Sequence, residues 1–250
     1  MLCMSLGPGD ALASEAVLNN TLVLARKSVG EFWDHFRSVT CVEQVTQEKF
    51  GKEGKREHKQ EATFDYLVLM NVEKNGLSVE ESRLQKSRKQ KTKNVPLMIS
   101  TGLPTLLLAF HPYYRDAFRY ELASDEPVTG DGLIRIRFKH IPGTQSTTAL
   151  RLRGKDYALD VEGTAWVDSG TGAIQRISAG IAGPLSDLNL KALEMDVSYS
   201  PHDFQSGEGI YWLPSTAVVE IRTERQRWRN HHQYSGYKRF SVNTEDKISR

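Results

Sequence analysis

The chain has 250 residues, enough for one large domain or two small ones, and its composition, 39% hydrophobic and 26% charged, is that of a folded globular protein. A formal net charge of +2 gives no overall field that would favour nucleic acid or an anionic membrane surface. No stretch approaches ~18 consecutive apolar residues, which excludes a membrane-spanning helix in this sequence.

The first residues bear on whether the protein is secreted. Ala11-Leu12-Ala13, followed by Ser14, resembles the A-x-A end of a secretory signal peptide, whereas residues 1–10 have neither its basic start nor its apolar centre. A truncated signal peptide and an irregular cytosolic leader both stay open. We treat residues 1–13 as a leader or signal-peptide remnant and residues 14–250 as a single domain.

The chain has two cysteines, Cys3 and Cys41, and no CxxC pair, which excludes a zinc knuckle or a thioredoxin-type site. Cys41 stands among Val39, Val42 and Val45, so we predict a buried and unreactive thiol. A disulfide between Cys3 and Cys41 stays open and would require an oxidising compartment.

An amphipathic helix is predicted over residues 14–37, with Ser14 and Glu15 in its first turn. Its apolar residues recur at helical spacing and lie on one stripe, with Trp33 beside it: Leu18, Leu22, Ala25, Val29, Phe32 and Phe36. Such a stripe requires an apolar surface to cover.

From Val39 onwards the apolar residues alternate with polar ones, which is typical of half-buried β-strands. Short turns such as Asn75-Gly76 and residues 168–172 separate the strands, and strands joined in this way pair antiparallel. The clearest alternating segments are Ala62–Met70, Ile134–Phe138, Tyr157–Val167, Leu193–Tyr199, Ile210–Glu224 and Arg227–Val242. We expect an α+β domain, mainly antiparallel, of about nine or ten strands.

A second helical segment covers residues 95–118, which we predict as two short helices. Pro104 suits a first helical turn, and Pro112 ends or kinks the helix before it. The apolar residues with helical spacing are Leu103, Leu106, Leu107 and Phe110. This segment is either plain core or a lid over an apolar cavity. Because both helical segments need a concave face to cover, we expect a half-open curved sheet or barrel wrapped around them.

The sequence contains two clusters of basic residues, and neither indicates nucleic-acid binding. Residues 83–93 are either a solvated strand end running into a loop or a patch for anions or lipid headgroups. Near the C-terminus, basic and aromatic residues alternate and so lie on opposite strand faces, whereas single-stranded nucleic acid needs both on one surface. These residues are Arg225, Arg227 and Arg229 on one face, and Trp228, His232 and Tyr234 on the other.

The sequence contains no recognisable catalytic or metal-binding motif. It lacks a P-loop, a GxSxG elbow and an HExxH pair, and the neighbours His231 and His232 would point to opposite faces of a strand. Asp160 and Glu162 share a strand face, but on its solvated side, which does not suit acid–base catalysis. We therefore predict a protein that is not an enzyme and that uses no metal or cofactor.

Three motifs follow one another in the second half of the chain. Trp166–Arg176 has the form W-x-D-x-x-T-G-x-I-x-R, Gly209–Pro214 has the form of a W-L-P strand start, and Tyr234–Phe240 has the form Y-x-x-Y-x-x-F. Together with a helix that precedes an antiparallel sheet, they resemble the LolA-like superfamily of bacterial outer-membrane lipoprotein-sorting proteins and their exported relatives. The resemblance implies a half-open β-barrel, export, and an apolar cavity that in the carriers holds lipoprotein acyl chains. No acyl-binding residue matches by position.

Our leading hypothesis is a periplasmic or otherwise exported, non-enzymatic protein that binds a lipid or lipoprotein acyl chain in the concave face of its sheet. The alternative is an extracytoplasmic sensor or scaffold that binds a protein partner and fills its cavity with its own side chains; a hydrolase without a known motif is more remote. The residues predicted to line the cavity are Leu103, Leu106, Leu107, Phe110, Trp166 and Trp212. Both tryptophans interrupt the polar side of their strands, which a second covered face of the sheet would explain.

Overall fold

The computed structural model describes residues 8–51, 53–73, 76–89, 104–123, 132–152, 155–204 and 209–239. The first described element is one long helix, α1 (Pro8–His35). Twelve strands follow among these residues: β1 (Ser38–Phe50), β2 (Arg56–Glu73), β3 (Gly76–Lys89), β4 (Phe118–Leu122), β5 (Leu133–His140), β6 (Ala149–Leu152), β7 (Lys155–Ala158), β8 (Val161–Asp168), β9 (Ile174–Ile181), β10 (Leu190–Asp203), β11 (Ile210–Thr223) and β12 (Arg227–Arg239). In the described part of the chain, three 3₁₀ helices cover Pro104–Phe110, Pro112–Ala117 and Ser186–Leu188.

Ten of the strands form one sheet in the order β3-β2-β1-β12-β11-β10-β9-β8-β5-β4, and β6 pairs with β7 in a separate hairpin. Neighbouring strands pair antiparallel, since most of them are joined by short turns. The last strand, β12, also pairs antiparallel with the first strand, β1. The sheet is curved and open, not closed into a barrel. This confirms the predicted fold class of a mainly antiparallel, half-open curved sheet.

Helix α1 and the first two 3₁₀ helices pack on the inner face of this sheet. The apolar stripe of α1 is buried in the core as predicted, with Leu18 partly buried at its start. Every second residue of the strands points to the inner face and packs in the same core as the α1 stripe, because successive side chains point to opposite faces of a strand. Those at the centre include Val39, Tyr66, Ile136, Ala165, Ile177 and Val197.

Helix α1 begins at Pro8, six residues before the predicted start at Ser14. The apolar stripe that guided the prediction begins only at Leu18, so periodicity carried no signal for the first turns. Proline is tolerated in the first turn of a helix, where its missing N–H would have no partner anyway. Leu12 in this added part is exposed to solvent.

The second helical segment contains two short helices that start at Pro104 and Pro112, as predicted. Both are 3₁₀ helices, which suits pieces of six or seven residues better than an α-helix. His111 caps the second, because its Nδ1 accepts a hydrogen bond from the Tyr113 backbone N–H at 3.1 Å. Residues 95–103, including Leu103, lie outside the described residues.

The single strand predicted from Tyr157 to Val167 is wrong. Tyr157 belongs to β7 in the small hairpin, and the main sheet starts again only at β8. At the break, the Leu159 backbone N–H donates to the Thr148 carbonyl at 2.9 Å, and the Ser146 hydroxyl donates to the Leu159 carbonyl at 2.8 Å. The alternation continues across the break, because Leu159 between the two strands is buried like Val161, and it therefore hides this change of partner.

The two edge strands of the sheet, β3 and β4, approach each other through the second 3₁₀ helix. This helix leads directly into β4, and a hydrogen bond joins the buried Tyr114 hydroxyl to the backbone of Leu77 near the start of β3. The side chains of Tyr113 and Tyr114 also lie beside Gly76. One end of the open sheet is therefore bridged by side chains instead of by strand pairing.

Candidate ligand-binding cleft

A cleft of ≈ 560 Å³ lies between α1 and the inner side of the sheet. Its walls come from α1, the first 3₁₀ helix, the turn between β8 and β9, and the facing ends of β10 and β11. The lining residues are Leu24, Lys27, Ser28, Val29, Glu31, Phe32, Leu107, Gly170, Thr171, Ala173, Ile174, Pro201, Ile210, Tyr211 and Trp212. A volume of this size falls within the range of small-molecule sites.

The walls of the cleft are mostly apolar, with Ser28 and Thr171 as uncharged polar residues, and its charged side chains are exposed at the rim. The side chains of Lys27 and Glu31 are 70% and 55% exposed, with Lys27 Nζ 3.8 Å from Glu31 Oε1. Most of the other lining residues are aliphatic or aromatic, and Ile210 is 66% exposed at the mouth. An apolar ligand with a polar end would match this division.

The turn between β8 and β9 sets one wall of the cleft. Asp168 Oδ1 accepts hydrogen bonds from the Gly170 N–H at 3.1 Å, the Thr171 N–H at 2.8 Å and the Thr171 hydroxyl at 2.8 Å. These bonds hold the pKa of Asp168 below its ordinary value, and the bond from the Thr171 hydroxyl has the largest effect. Gly172, with φ +73°, packs directly against the backbone of α1 at Leu24. The conformation of the turn therefore fixes how closely α1 approaches the sheet.

A second, much smaller cavity of ≈ 20 Å³ lies deeper, between α1 and strands β1, β2, β11 and β12. It has room for about one water molecule. Its walls are Phe32, Val39, Cys41, Tyr66, Val68, Met70, Leu213, Pro214, Tyr234 and Tyr237. Cys41 is buried there as a free thiol, and burial raises its pKa to about 12, so the thiolate needed for reactivity is suppressed. Cys3 lies outside the described residues.

Two of the predicted site residues, Leu107 and Trp212, meet in the cleft. Leu106 and Phe110 are buried beneath it instead, and Phe110 packs against Tyr120 and Phe138 with ring centroids 5.5 Å apart in each pair. Leu103 is outside the described residues. Ligand binding by any of these side chains stays a prediction.

Trp166 lies on the opposite, outer face of β8, away from the cleft. The guanidinium of Arg176 lies 4.5 Å above its ring, and Arg176 Nη2 bonds Asp196 Oδ2 at 2.6 Å. In the described part of the chain the indole is thus covered by an arginine and not by a second layer of structure. A stacked cation accounts for a large aromatic residue on a polar strand face.

Sequence reasoning missed several lining residues, among them Ile174, Ile210 and Tyr211. A signal was present, since Ile210, Tyr211 and Trp212 are consecutive large apolar residues that break the alternation of a half-buried strand. Phe32 was predicted only as part of the helix stripe, although it also faces the cleft.

One arrangement resembles a hydrolytic triad in its order of groups. His140 Nδ1 lies 2.8 Å from Asp160 Oδ1, and His140 Nε2 lies 3.1 Å from the Thr144 hydroxyl. The hydroxyl, however, donates to the Ile141 carbonyl at 2.7 Å, and Nε2 is also 3.3 Å from the Gln145 carbonyl. These bonds hold the loop after β5 against Asp160, which makes His140 a clamp for that loop.

Neither a metal site nor a spanning helix emerges from the residues that the structure describes. Among them, no three His, Cys, Asp or Glu side chains converge where a metal ion could be held. None of the described helices combines the length and apolar composition that crossing a bilayer requires.

Among the solved structures similar to this chain are two distant ones, although no family model and no curated protein matches its sequence. The first is a DUF1329 family protein from Desulfovibrio piger, with 15% identity, a TM-score of 0.42, and 92% of this chain and 95% of that chain covered. The second is a domain from Vibrio parahaemolyticus named as an outer membrane lipoprotein-sorting protein, with 11% identity, a TM-score of 0.40, and coverage of 90% and 94%. A lipoprotein-sorting domain is thus among the structural neighbours, as the sequence motifs predicted. At these identities and TM-scores the similarity assigns neither ligand nor activity.

Proposed function

We propose that this protein is an exported, non-enzymatic binding protein that holds a lipid or lipoprotein acyl chain in the cleft between α1 and the sheet. The observation that carries the proposal is the cleft itself, ≈ 560 Å³ with aliphatic and aromatic walls and charge confined to its rim. Export, to the periplasm, is proposed from the signal-like Ala11-Leu12-Ala13 and from the motifs shared with lipoprotein-sorting proteins.

The energetics suit an acyl chain. Each methylene that leaves water contributes about 0.8 kcal/mol, and apolar surface contributes about 25 cal/mol per Å² covered. A chain of about ten methylenes would gain about 8 kcal/mol, from which the entropy of immobilising the chain and the ligand must be subtracted. Since micromolar binding needs about 8 kcal/mol after that subtraction, a chain of about ten methylenes alone should bind more weakly, and a longer chain or a polar contact at the rim would supply the difference.

The test compares the two tryptophans. Purified protein is stripped of lipid and titrated with a fluorescent fatty-acyl probe. Because Trp212 lines the cleft and Trp166 lies on the outer face, we expect Trp212→Ala to weaken binding by about tenfold or more. The matched control Trp166→Ala should stay within about twofold of the unchanged protein.

Mass spectrometry of the protein as purified from cells provides the independent readout. Co-purified lipid would support the proposal. Protein that is repeatedly recovered empty, and that also ignores the added probe, would overturn it.

The second candidate is a sensor or scaffold module with a self-filled interior. It is favoured by the complete burial of Leu106 and Phe110, which act as core and not as an open lid. This candidate predicts no saturable acyl binding and equal behaviour of the two tryptophan variants, so the titration separates the two functions.

A further inference from the structure

Phe32 on α1 stands between the two cavities. Its side chain contributes to the wall of the ≈ 560 Å³ cleft and also to the wall of the ≈ 20 Å³ inner cavity. Only 8% of the residue is exposed. The two spaces lie on either side of one aromatic side chain.

The inner cavity continues the apolar path of the cleft. Val39, Val68, Met70 and Leu213 form its sides, and none of them carries a polar side-chain atom. At its walls the path meets Tyr66 and Tyr234, whose buried hydroxyls have no hydrogen-bond partner among the described residues. The path therefore runs from a wide cleft, past Phe32, to a narrow apolar space bordered by these two tyrosines.

The Phe32 ring is held in place by other aromatic rings. It stacks on Phe36 with centroids 5.1 Å apart and an angle of 24° between the planes. Phe36 in turn contacts Tyr211 at 4.4 Å and Phe204 at 5.0 Å. A ring packed in this way is a fixed wall, because swinging it aside would disturb a chain of close contacts.

We propose that Phe32 sets the length of the acyl chain that the cleft accepts. This inference rests on the proposed function. A chain that enters from the mouth near Ile210 ends against the Phe32 ring, since the inner cavity has room for only about one water-sized group. Removing the ring joins the two spaces, and the last methylenes of a longer chain then enter the inner cavity.

The experiment measures binding of a series of saturated fatty acids of increasing length by displacement of a fluorescent acyl probe. For Phe32→Ala we expect the preferred length to shift to longer chains, with about tenfold tighter binding for every two methylenes that newly enter the protein. Phe32→Leu, which keeps a branched apolar side chain, serves as a milder variant in case the alanine variant unfolds, and should give a smaller shift in the same direction.

Phe204→Ala is the matched control. Phe204 belongs to the same aromatic cluster, in contact with Phe36, but it is not among the residues that line either cavity. The control should keep the chain-length preference of the unchanged protein, and thermal unfolding of all variants shows whether they are folded.

The outcomes separate this inference from the function on which it rests. If the unchanged protein binds fatty acids and folded Phe32→Leu or Phe32→Ala keeps the same preferred length, Phe32 is not the limit and the inference is wrong, while the proposed function stands. A preferred length that shifts equally in Phe204→Ala also overturns it. If the unchanged protein binds no fatty acid of any length, the proposed function itself fails.

Discussion

Glu43 is a charged side chain that the alternation of β1 directs into the interior, where it is fully buried. Arg83 Nε donates to its carboxylate at 2.5 Å, and His232 Nδ1 lies 2.8 Å from the other carboxylate oxygen. The Arg83 guanidinium also stacks on Tyr66, 4.2 Å from the ring centroid. Burial alone would raise the pKa of Glu43, but the hydrogen bonds from His232 and Arg83 outweigh it and hold the pKa below its ordinary value.

We expect Glu43→Gln to lower the free energy of unfolding by about 3 kcal/mol at neutral pH, because it removes one of the two carboxylates, Glu43 and Glu81, that pair with the buried Arg83. Glu48→Gln is the matched control on the same strand. Glu48 pairs with Arg56 at 2.8 Å, but the Arg56 side chain is 54% exposed, so the control should lose less than about 1 kcal/mol. Urea unfolding gives both values, and equal losses would contradict this account of Glu43.

The stability difference between the unchanged protein and Glu43→Gln should also depend on pH. Since the pKa of Glu43 is lower in the folded chain than its ordinary value of 4.5, its stabilising contribution is fully present above that pH and is lost as the pH falls further. The difference in unfolding free energy between the unchanged protein and Glu43→Gln should therefore be largest near neutral pH and narrow below about pH 4.5. A difference that stays constant down to low pH would contradict the lowered pKa.

The sequence predicted part of this network and could not predict the rest. Alternation assigned His232 and Tyr234 to one strand face, and both are buried on the inner side. Their partner Glu43 is 189 residues away from His232, and only the register between β1 and β12 brings the two together. Arg83 was assigned to a basic stretch together with Lys86. The sequence pattern does not reveal that Arg83 pairs with Glu43 in the interior while Lys86 pairs with Asp65 at the surface.

At the scale of elements, the turn after β8 shows how a short motif positions a long helix. Gly172 has φ +73°, and a Cβ there would collide with the Leu24 carbonyl group and lie 2.6 Å from the Ala25 nitrogen. The motif residue Gly172 therefore serves two needs at once: a left-handed backbone and close contact with α1. Asp168 and Thr171 stabilise the turn from within.

We expect Gly172→Ala to destabilise the protein by at least about 2 kcal/mol and to weaken acyl binding, because α1 must move away from the turn. Gly170→Ala in the same turn is the control. A Cβ at Gly170 would meet only Asp168 Oδ1, at 3.6 Å, so the stability should change by no more than about 0.5 kcal/mol. Thermal unfolding and probe titration measure both effects, and a fully stable Gly172→Ala would show that α1 does not depend on this contact.

The elements that were predicted well are those whose periodicity is local. The stripe of α1 and the alternation of β2 and β5 are confirmed, because burial on one face imposes a pattern that needs no knowledge of the partner. The break between β7 and β8 and the start of α1 at Pro8 were missed. At the break, the alternation continues and what changes is the hydrogen-bond partner, Thr148. At the start of α1, the apolar stripe begins only at Leu18, so the first turns carry no periodic signal.

At the scale of the whole molecule, the cleft results from a curved sheet that is too open to close around its own helices. A concave apolar face was predictable, since two apolar helical segments needed one surface to cover. Its lining was not, because Leu107 and Trp212 meet only through the placement of the first 3₁₀ helix beside α1 and β11. Trp166, predicted by the same reasoning as Trp212, does lie on the polar face of β8, but there Arg176 covers its ring, which the strand pattern could not reveal.

The open sheet depends on its bridged end to keep its shape. Tyr114 is buried, and its hydroxyl links the helix before β4 to the Leu77 backbone at the start of β3. We expect Tyr114→Phe to cost about 1 kcal/mol of stability, because one buried backbone group loses its partner. Hydrogen exchange should also quicken in the first residues of β3, which are free to separate from this bridge, while β10 and β11 in the middle of the sheet keep their protection.

Tyr113→Phe is the matched control, since Tyr113 is 51% exposed, and it should leave both the stability and the hydrogen exchange unchanged. Quickened exchange throughout the sheet would mean that the bridge supports the fold as a whole, and unchanged exchange in β3 would mean that the two edges are held together by something other than Tyr114.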